Sequence, residues 1–281
     1  MKTNRLSLLP ATMAAVTVAA AMLTTGCGNP SATEKFTTDS ITYVDSVIVG
    51  QSRAFCSMTV AYPADGPQAL IDSVGLWIAR QLAVSPNITS GSEKSPDYSA
   101  ITSGPELLRT AGTYLMSESR DDLDEYMRDS ITINFEFNWN IRPVCDSTRF
   151  VTYASSTYFY LGGAHGGSGY TPATFDKTSG QRFGWNMIEP DSVPALRNML
   201  KNYLLTDFFH AESYDGIRDG LFVDPDTMPL PVTPPCFLTN GVDFTYMQYE
   251  ITPYAAGMPS CVISYDAIRP LLTPQARALL D

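Results

Sequence analysis

From Ile131 to Trp139 the chain alternates: Ile131, Ile133, Phe135, Phe137 and Trp139 are large and apolar, and the residues between them are polar. A period of two places all five side chains on one face of a β-strand and predicts a half-buried sheet with a packed layer on that side. Arg53 to Tyr62 and Arg149 to Leu161, rich in Val, Thr, Tyr and Phe, extend the strand set. Helical spacing takes over elsewhere. Pro67 opens a helix whose buried stripe is Leu70, Val74, Trp77, Ile78 and Leu82. A second begins near Pro105, with Leu108, Ala111, Leu115 and Tyr126 inward. A third follows the cap Asp191-Ser192, with Val193, Leu196, Leu200, Tyr203, Leu204 and Phe208 inward. Short strands are expected at Thr174–Asp176, Gln181–Trp185, Val242–Ile251 and Cys261–Ser264, then a terminal helix broken at Pro270 and Pro274. Strands that meander, with helices set apart from them, predict an α+β fold. The expected form is antiparallel sheets with helices packed on one side, in two closely associated subdomains.

The chain's 281 residues allow one large or two small domains. Prolines scattered from Pro63 to Pro274 exclude a coiled coil, and 44% hydrophobic content excludes disorder. Residues 1–26 read as an export signal: a basic start (Lys2, Arg5), an uncharged run from Leu6 to Leu23, then Thr24-Thr25-Gly26-Cys27. The order resembles a bacterial lipoprotein signal, which implies cleavage before Cys27 and acylation of that cysteine. The run is also long enough for an uncleaved anchor. Residues 27–40 are expected to tether the lipid to the domain. Localisation at the cell envelope, lipid-anchored through Cys27, follows from this reading.

Charge narrows the partners. The chain's formal charge is −11; removal of Lys2 and Arg5 leaves 16 basic against 29 acidic residues, or −13. Phosphate backbones and anionic membranes are poor partners for such a surface, no nucleic-acid partner is expected, and a cationic partner is favoured. Cys56, Cys145, Cys236 and Cys261 form an even set in an exported chain and predict two disulfides, with Cys56–Cys145 and Cys236–Cys261 the expected pairs.

The only histidines are His165 and His210, with no histidine pair and no C-x-x-C, so no metal site and no cofactor is expected. His210-Ala211-Glu212 with Pro235-Cys236 imitates a zinc deaminase start, but Thr239 stands where the second cysteine belongs. Gly166-Gly167-Ser168-Gly169-Tyr170 fails the nucleophile elbow at its last position. Paired carboxylates are not singled out. The informative stretch is Tyr158-Phe159-Tyr160-Leu161-Gly162-Gly163-Ala164-His165-Gly166-Gly167, an aromatic strand running into glycines around one histidine. It reads as a contact loop with His165 at its tip, or as a plain hairpin apex.

Tyr160 to Gly166, followed by Phe175-Asp176-Lys177-Thr178-Ser179-Gly180, resembles the junction of two paired domains of unknown function, 4163 and 3298. These occur in RsiV-type anti-sigma factors and in the non-catalytic part of the deacetylase PdaC. Leu238 to Val242, Tyr249 to Gly257 and Ser264-Tyr265 resemble the closing strands of the second domain. The resemblance implies a 4163-like domain over residues 41–170 and a 3298-like domain over residues 171–281. It also implies binding rather than catalysis, since the RsiV type recognises lysozyme. A counterpart of the cytoplasmic and membrane-spanning segments of RsiV, or of the catalytic domain of PdaC, is not expected on this reading. The expected function is an envelope-anchored, non-enzymatic binding module for lysozyme or another cationic protein, or for peptidoglycan. Its expected contact residues are Tyr160, Gly162, Gly163, His165, Gly166, Tyr249, Glu250 and Tyr254. The alternative is a cell-wall hydrolase or esterase using His165 with a nearby acid.

Overall fold

The computed structural model describes residues 35–83 and 104–281, together with the backbone of Thr17–Val18. The remainder of the expected signal segment, Cys27, residues 28–34 of the expected tether and the loop around Ser85–Ser103 lie outside the described residues. One sheet of seven strands runs in the order β1 (Thr17–Val18), β2 (Thr37–Val49), β3 (Ser52–Asp65), β4 (Asn134–Asp146), β5 (Phe150–Tyr160), β6 (Gly167–Asp176), β7 (Arg182–Phe183). All neighbours are antiparallel except β3 and β4, which pair in parallel from Arg53↔Asn134 to Val60↔Ile141. Parallel neighbours need a crossover, and helices α1 (Gln68–Ala83) and α2 (Gly104–Arg128) lie in it.

Period two decides which face the helices cover. Ile41, Tyr43, Val47 and Val49 of β2 are buried, as are Ala54, Cys56, Met58 and Val60 of β3 and Phe135, Phe137, Trp139 and Ile141 of β4. They form one core with Leu70, Val74, Trp77, Ile78 and Leu82 of α1 and with Leu108, Ala111 and Leu115 of α2. The five predicted positions of α1 are all buried. The alternating segment begins as a strand only at Asn134, and Ile131 is exposed. Strand β2 was not anticipated. It takes in the last four residues of the expected tether, because its backbone pairs with β3 from Thr37 onward.

The second core packs helix α3 (Val193–Asp207) and the short helices α4 (Tyr265–Ile268) and α5 (Pro274–Ala278) with a three-stranded sheet. That sheet orders β8 (Cys236–Phe237), β9 (Gly241–Thr245) and β10 (Ser260–Ser264) with β9 central. It docks on the large sheet at β5 and β6, on the face away from α1 and α2. There Thr152 Oγ1 donates to the Phe237 carbonyl (2.6 Å), and the Phe237 N–H donates to Thr174 Oγ1 (2.9 Å). The expected boundary between residues 170 and 171 falls inside β6.

Register also corrects the disulfides. All four cysteines are free and buried. Cys56 sits beside Phe137 on β4, and Cys145 lies eight residues further along that strand. At about 3.3 Å per residue this separates them by roughly 25 Å, far beyond a disulfide's reach. Cys236 pairs with Asp243, whereas Cys261 pairs with Phe244. Adjacent positions on β9 face opposite ways, so the two thiols point to opposite faces of their sheet with a strand between them.

Candidate functional site

Strand β5 leaves the sheet at Tyr160, and six residues return the chain to β6 at Gly167. The turn is possible because Gly162 and Gly163 hold φ of +76° and +136°, a region closed to most side chains. Gly162 has a second constraint: a Cβ there would lie 2.3 Å from Ile133 Cδ1. The Tyr160 hydroxyl donates to the Gly163 carbonyl (3.0 Å) and closes the turn from the strand side. Gly166 is buried against the ring of Tyr158, with no room for a side chain. These constraints present His165 at the exposed tip.

The facing wall comes from the connection between β9 and β10. Tyr249, with φ of +67°, turns outward and is 53% exposed. A non-glycine residue in that region is strained and persists only where its surroundings hold it. Glu250 supplies the hold: its two carboxylate oxygens accept the N–H groups of Met247 (2.7 Å) and Val232 (2.7 Å). Gln248 Oε1 accepts from the Ser168 N–H (3.2 Å) and ties the connection to β6.

Three rings meet at the result. Tyr254 stacks on His165 with centroids 3.9 Å apart and planes 20° from parallel. The Tyr249 ring lies 5.7 Å from that of Tyr254, and its hydroxyl is 3.0 Å from His165 Nε2. His165 Nδ1 is 2.9 Å from the Gly166 carbonyl. A carbonyl only accepts, so Nδ1 carries a proton, and Nε2 is held by the Tyr249 hydroxyl. Both ring nitrogens are thereby committed. Among the described residues no carboxylate bonds to His165, and no group of His, Cys, Asp and Glu is arranged to hold a metal ion.

Of the expected contact residues, His165 and Tyr249 come together across 84 positions of sequence, and Tyr254 stacks on the same ring. Tyr160, Gly162, Gly163 and Gly166 shape the turn, and Glu250 braces the opposite wall. Sequence reasoning passed over a buried polar cluster elsewhere in the second half of the chain. Asp243, Cys236 and Tyr170 meet there between the two sheets, and Asp243 Oδ2 accepts from Thr245 Oγ1 (2.9 Å). Burial outweighs that bond and pushes the Asp243 carboxyl up to about 6. An acidic residue inside a strand of otherwise buried positions, Val242-Asp243-Phe244, is the only signal that marked it.

No family model matches the sequence, and no curated protein matches it. Solved structures do. A member of the DUF3298 family from Bacteroides fragilis superposes with a TM-score of 0.72 at 19% identity, over 88% of this chain and 98% of its own. A DUF3298 family protein from Pseudomonas aeruginosa superposes with a TM-score of 0.55 at 14% identity, over 86% of this chain and 95% of its own. The chain therefore has the α+β fold of solved members of the DUF3298 family.

Proposed function

We propose that the protein is a non-enzymatic binding module and that the His165–Tyr249–Tyr254 cluster is its contact surface. The observation that carries this reading is the state of His165: exposed, stacked, and hydrogen-bonded at both nitrogens. A general base needs a free nitrogen aimed at substrate and, commonly, a carboxylate behind it. The hydrolase reading would require Tyr249 to leave Nε2. A contact surface needs neither.

The partner proposed is a cationic protein of the lysozyme kind. Half-exposed aromatic faces attract arginine and lysine side chains, and a formal charge of −11 steers such a partner inward. Export with acylation at Cys27, and pairing of a 4163-like with a 3298-like half, complete the proposal and rest on the sequence resemblance. The test is binding to lysozyme measured at low and high salt, with Tyr254→Ala and His165→Ala beside the wild type. Binding that weakens with salt and falls at least about tenfold in both variants is expected. Equal binding in all three proteins would remove the cluster from the interface, and no binding at low salt would remove lysozyme.

A further inference from the structure

We propose that the uncovered face of the large sheet binds a neutral oligosaccharide. The helices cover one face of β2–β5, and the second core covers the other only beyond Ala154. What remains is a run of cross-strand rows whose side chains point away from the core: Ser46–Phe55–Glu136–Tyr160, Val44–Ser57–Asn138–Tyr158 and Thr42–Thr59–Asn140–Ser156. Every one of these positions is exposed or half-buried; the β5–β6 turn reaches the ends of two rows, at Tyr158 and Tyr160.

Composition separates this face from the rest of the molecule. Its outward positions from Ser40 to Ile48, Arg53 to Ala61, Asn134 to Arg142 and Ala154 to Tyr160 hold two cations, Arg53 and Arg142, and one anion, Glu136. Two minus one is +1, against −11 for the whole chain. A cationic partner gains nothing here. The remaining positions are mainly hydroxyls and amides, which donate and accept at once, as vicinal sugar hydroxyls do. Phe55 and Tyr160 supply the apolar surface that the C–H face of a pyranose stacks on. They flank Glu136 in a shallow depression of ≈ 580 Å³ that Arg53 also lines, with its guanidinium 5.2 Å over the Phe55 ring. Asn138 Nδ2 donates to Glu136 Oε1 (2.8 Å), which fixes both planar groups and leaves the amide oxygen and Oε2 for ligand. Four strands about 4.8 Å apart make a floor roughly 14 Å across, suited to an extended, flat β-1,4-linked chain rather than a compact ligand.

The probe is the β-1,4-linked tetramer of N-acetylglucosamine, titrated into the full chain by calorimetry and followed by amide chemical shifts. Binding with Kd of about 1 mM or tighter is expected, with the shifts confined to β2–β5. Phe55→Ala and Asn138→Ala should each weaken it at least about fivefold, whereas His165→Ala should not alter it, which separates this face from the His165 cluster. Melting curves identify any variant that fails to fold, and Asn138→Ala, a half-exposed truncation, decides the matter if Phe55→Ala does. No heat and no shifts at millimolar tetramer would overturn the proposal. So would unchanged affinity in both sheet variants, or a dimer by sedimentation that buries this face.

Discussion

Thr174 donates its hydroxyl proton to Thr152 across the β5–β6 pair, at 2.8 Å, and the direction is set by what else the two hydroxyls do. Thr152 gives its own proton to the Phe237 carbonyl, and Thr174 accepts from the Phe237 N–H. The three bonds close a ring in which every donor and acceptor is used once. Both threonines are fully buried, so the second core is joined to the large sheet by polar groups without access to water.

Thr174→Val keeps the shape and breaks that ring, leaving the Phe237 N–H buried and unpaired. A loss of about 1–3 kcal/mol in unfolding free energy is expected, read by denaturant titration. Combining it with Thr152→Val should cost less than the two single losses added together, because the first change already disables the second group. Strict additivity would mean that the ring does not act as a unit.

At the His165 turn, Gly162→Ala and Gly163→Ala should part company. Both residues hold positive φ, but only Gly162 also faces Ile133. At Gly162 the left-handed backbone costs an alanine about 1–2 kcal/mol and the Ile133 contact adds to it, whereas at Gly163 the space is open and the cost is that of the backbone alone. Trimming Ile133 to alanine should therefore recover part of the melting-temperature loss of Gly162→Ala and none of that of Gly163→Ala. Equal recovery in both would mean that the Ile133 contact does not distinguish them.

The four thiols should be chemically silent until the fold is lost. Burial pushes Cys56 and Cys261 up to about 12 and Cys236 higher still, so little thiolate exists at neutral pH. With Cys27→Ser removing the fifth cysteine, a thiol reagent should count near zero in the native protein and four in denaturant. Near zero in both states would indicate disulfides after all.

Asp243 makes stability depend on pH in the direction opposite to a salt-bridged carboxylate. Its folded value of about 6 lies above the ordinary 3.8, so the native state holds the proton more tightly than the unfolded chain. Below pH 4 both states are protonated and the residue costs nothing. As pH rises through 6 the native state must bury a charge, and the accumulated penalty approaches about 3 kcal/mol. Asp243→Asn, which still accepts from Thr245, should match the wild type near pH 4 and exceed it by about 2–3 kcal/mol at pH 7.5. Parallel pH curves for the two proteins would show Asp243 to be hydrated.

Local periodicity carried most of what the sequence revealed. The α1 stripe and the Phe135–Phe137–Trp139 face were legible because each is decided by neighbours within a few residues. Strand β2 carried the same signal in Ile41, Tyr43, Val47 and Val49, but Asp45 interrupts the alternation and the segment was assigned no element. The β3–β4 pairing, the direction of Cys236 and the burial of Asp243 depend on register between distant segments, which periodicity does not encode. At the site, the glycines announced the His165 turn. Tyr249, Glu250 and Tyr254 were named as contacts from the family resemblance; that both rings lie against His165, and that the Glu250 carboxylate accepts two backbone N–H groups, depends on contacts distant in sequence.

The parallel junction between β3 and β4 has a consequence for the order of assembly. Arg53 and Asn134 are neighbours in the sheet yet 81 residues apart in the chain, and loops of that length close late in folding. The β2–β3 hairpin and the β4–β5–β6 meander are each built from near neighbours in sequence. They should form early as separate units, each with an apolar face bare. Until they meet, Met58, Val60, Phe135 and Phe137 are available to other chains. The slowest step in folding, and the interval of greatest aggregation risk, is thus the joining of two finished halves along one seam.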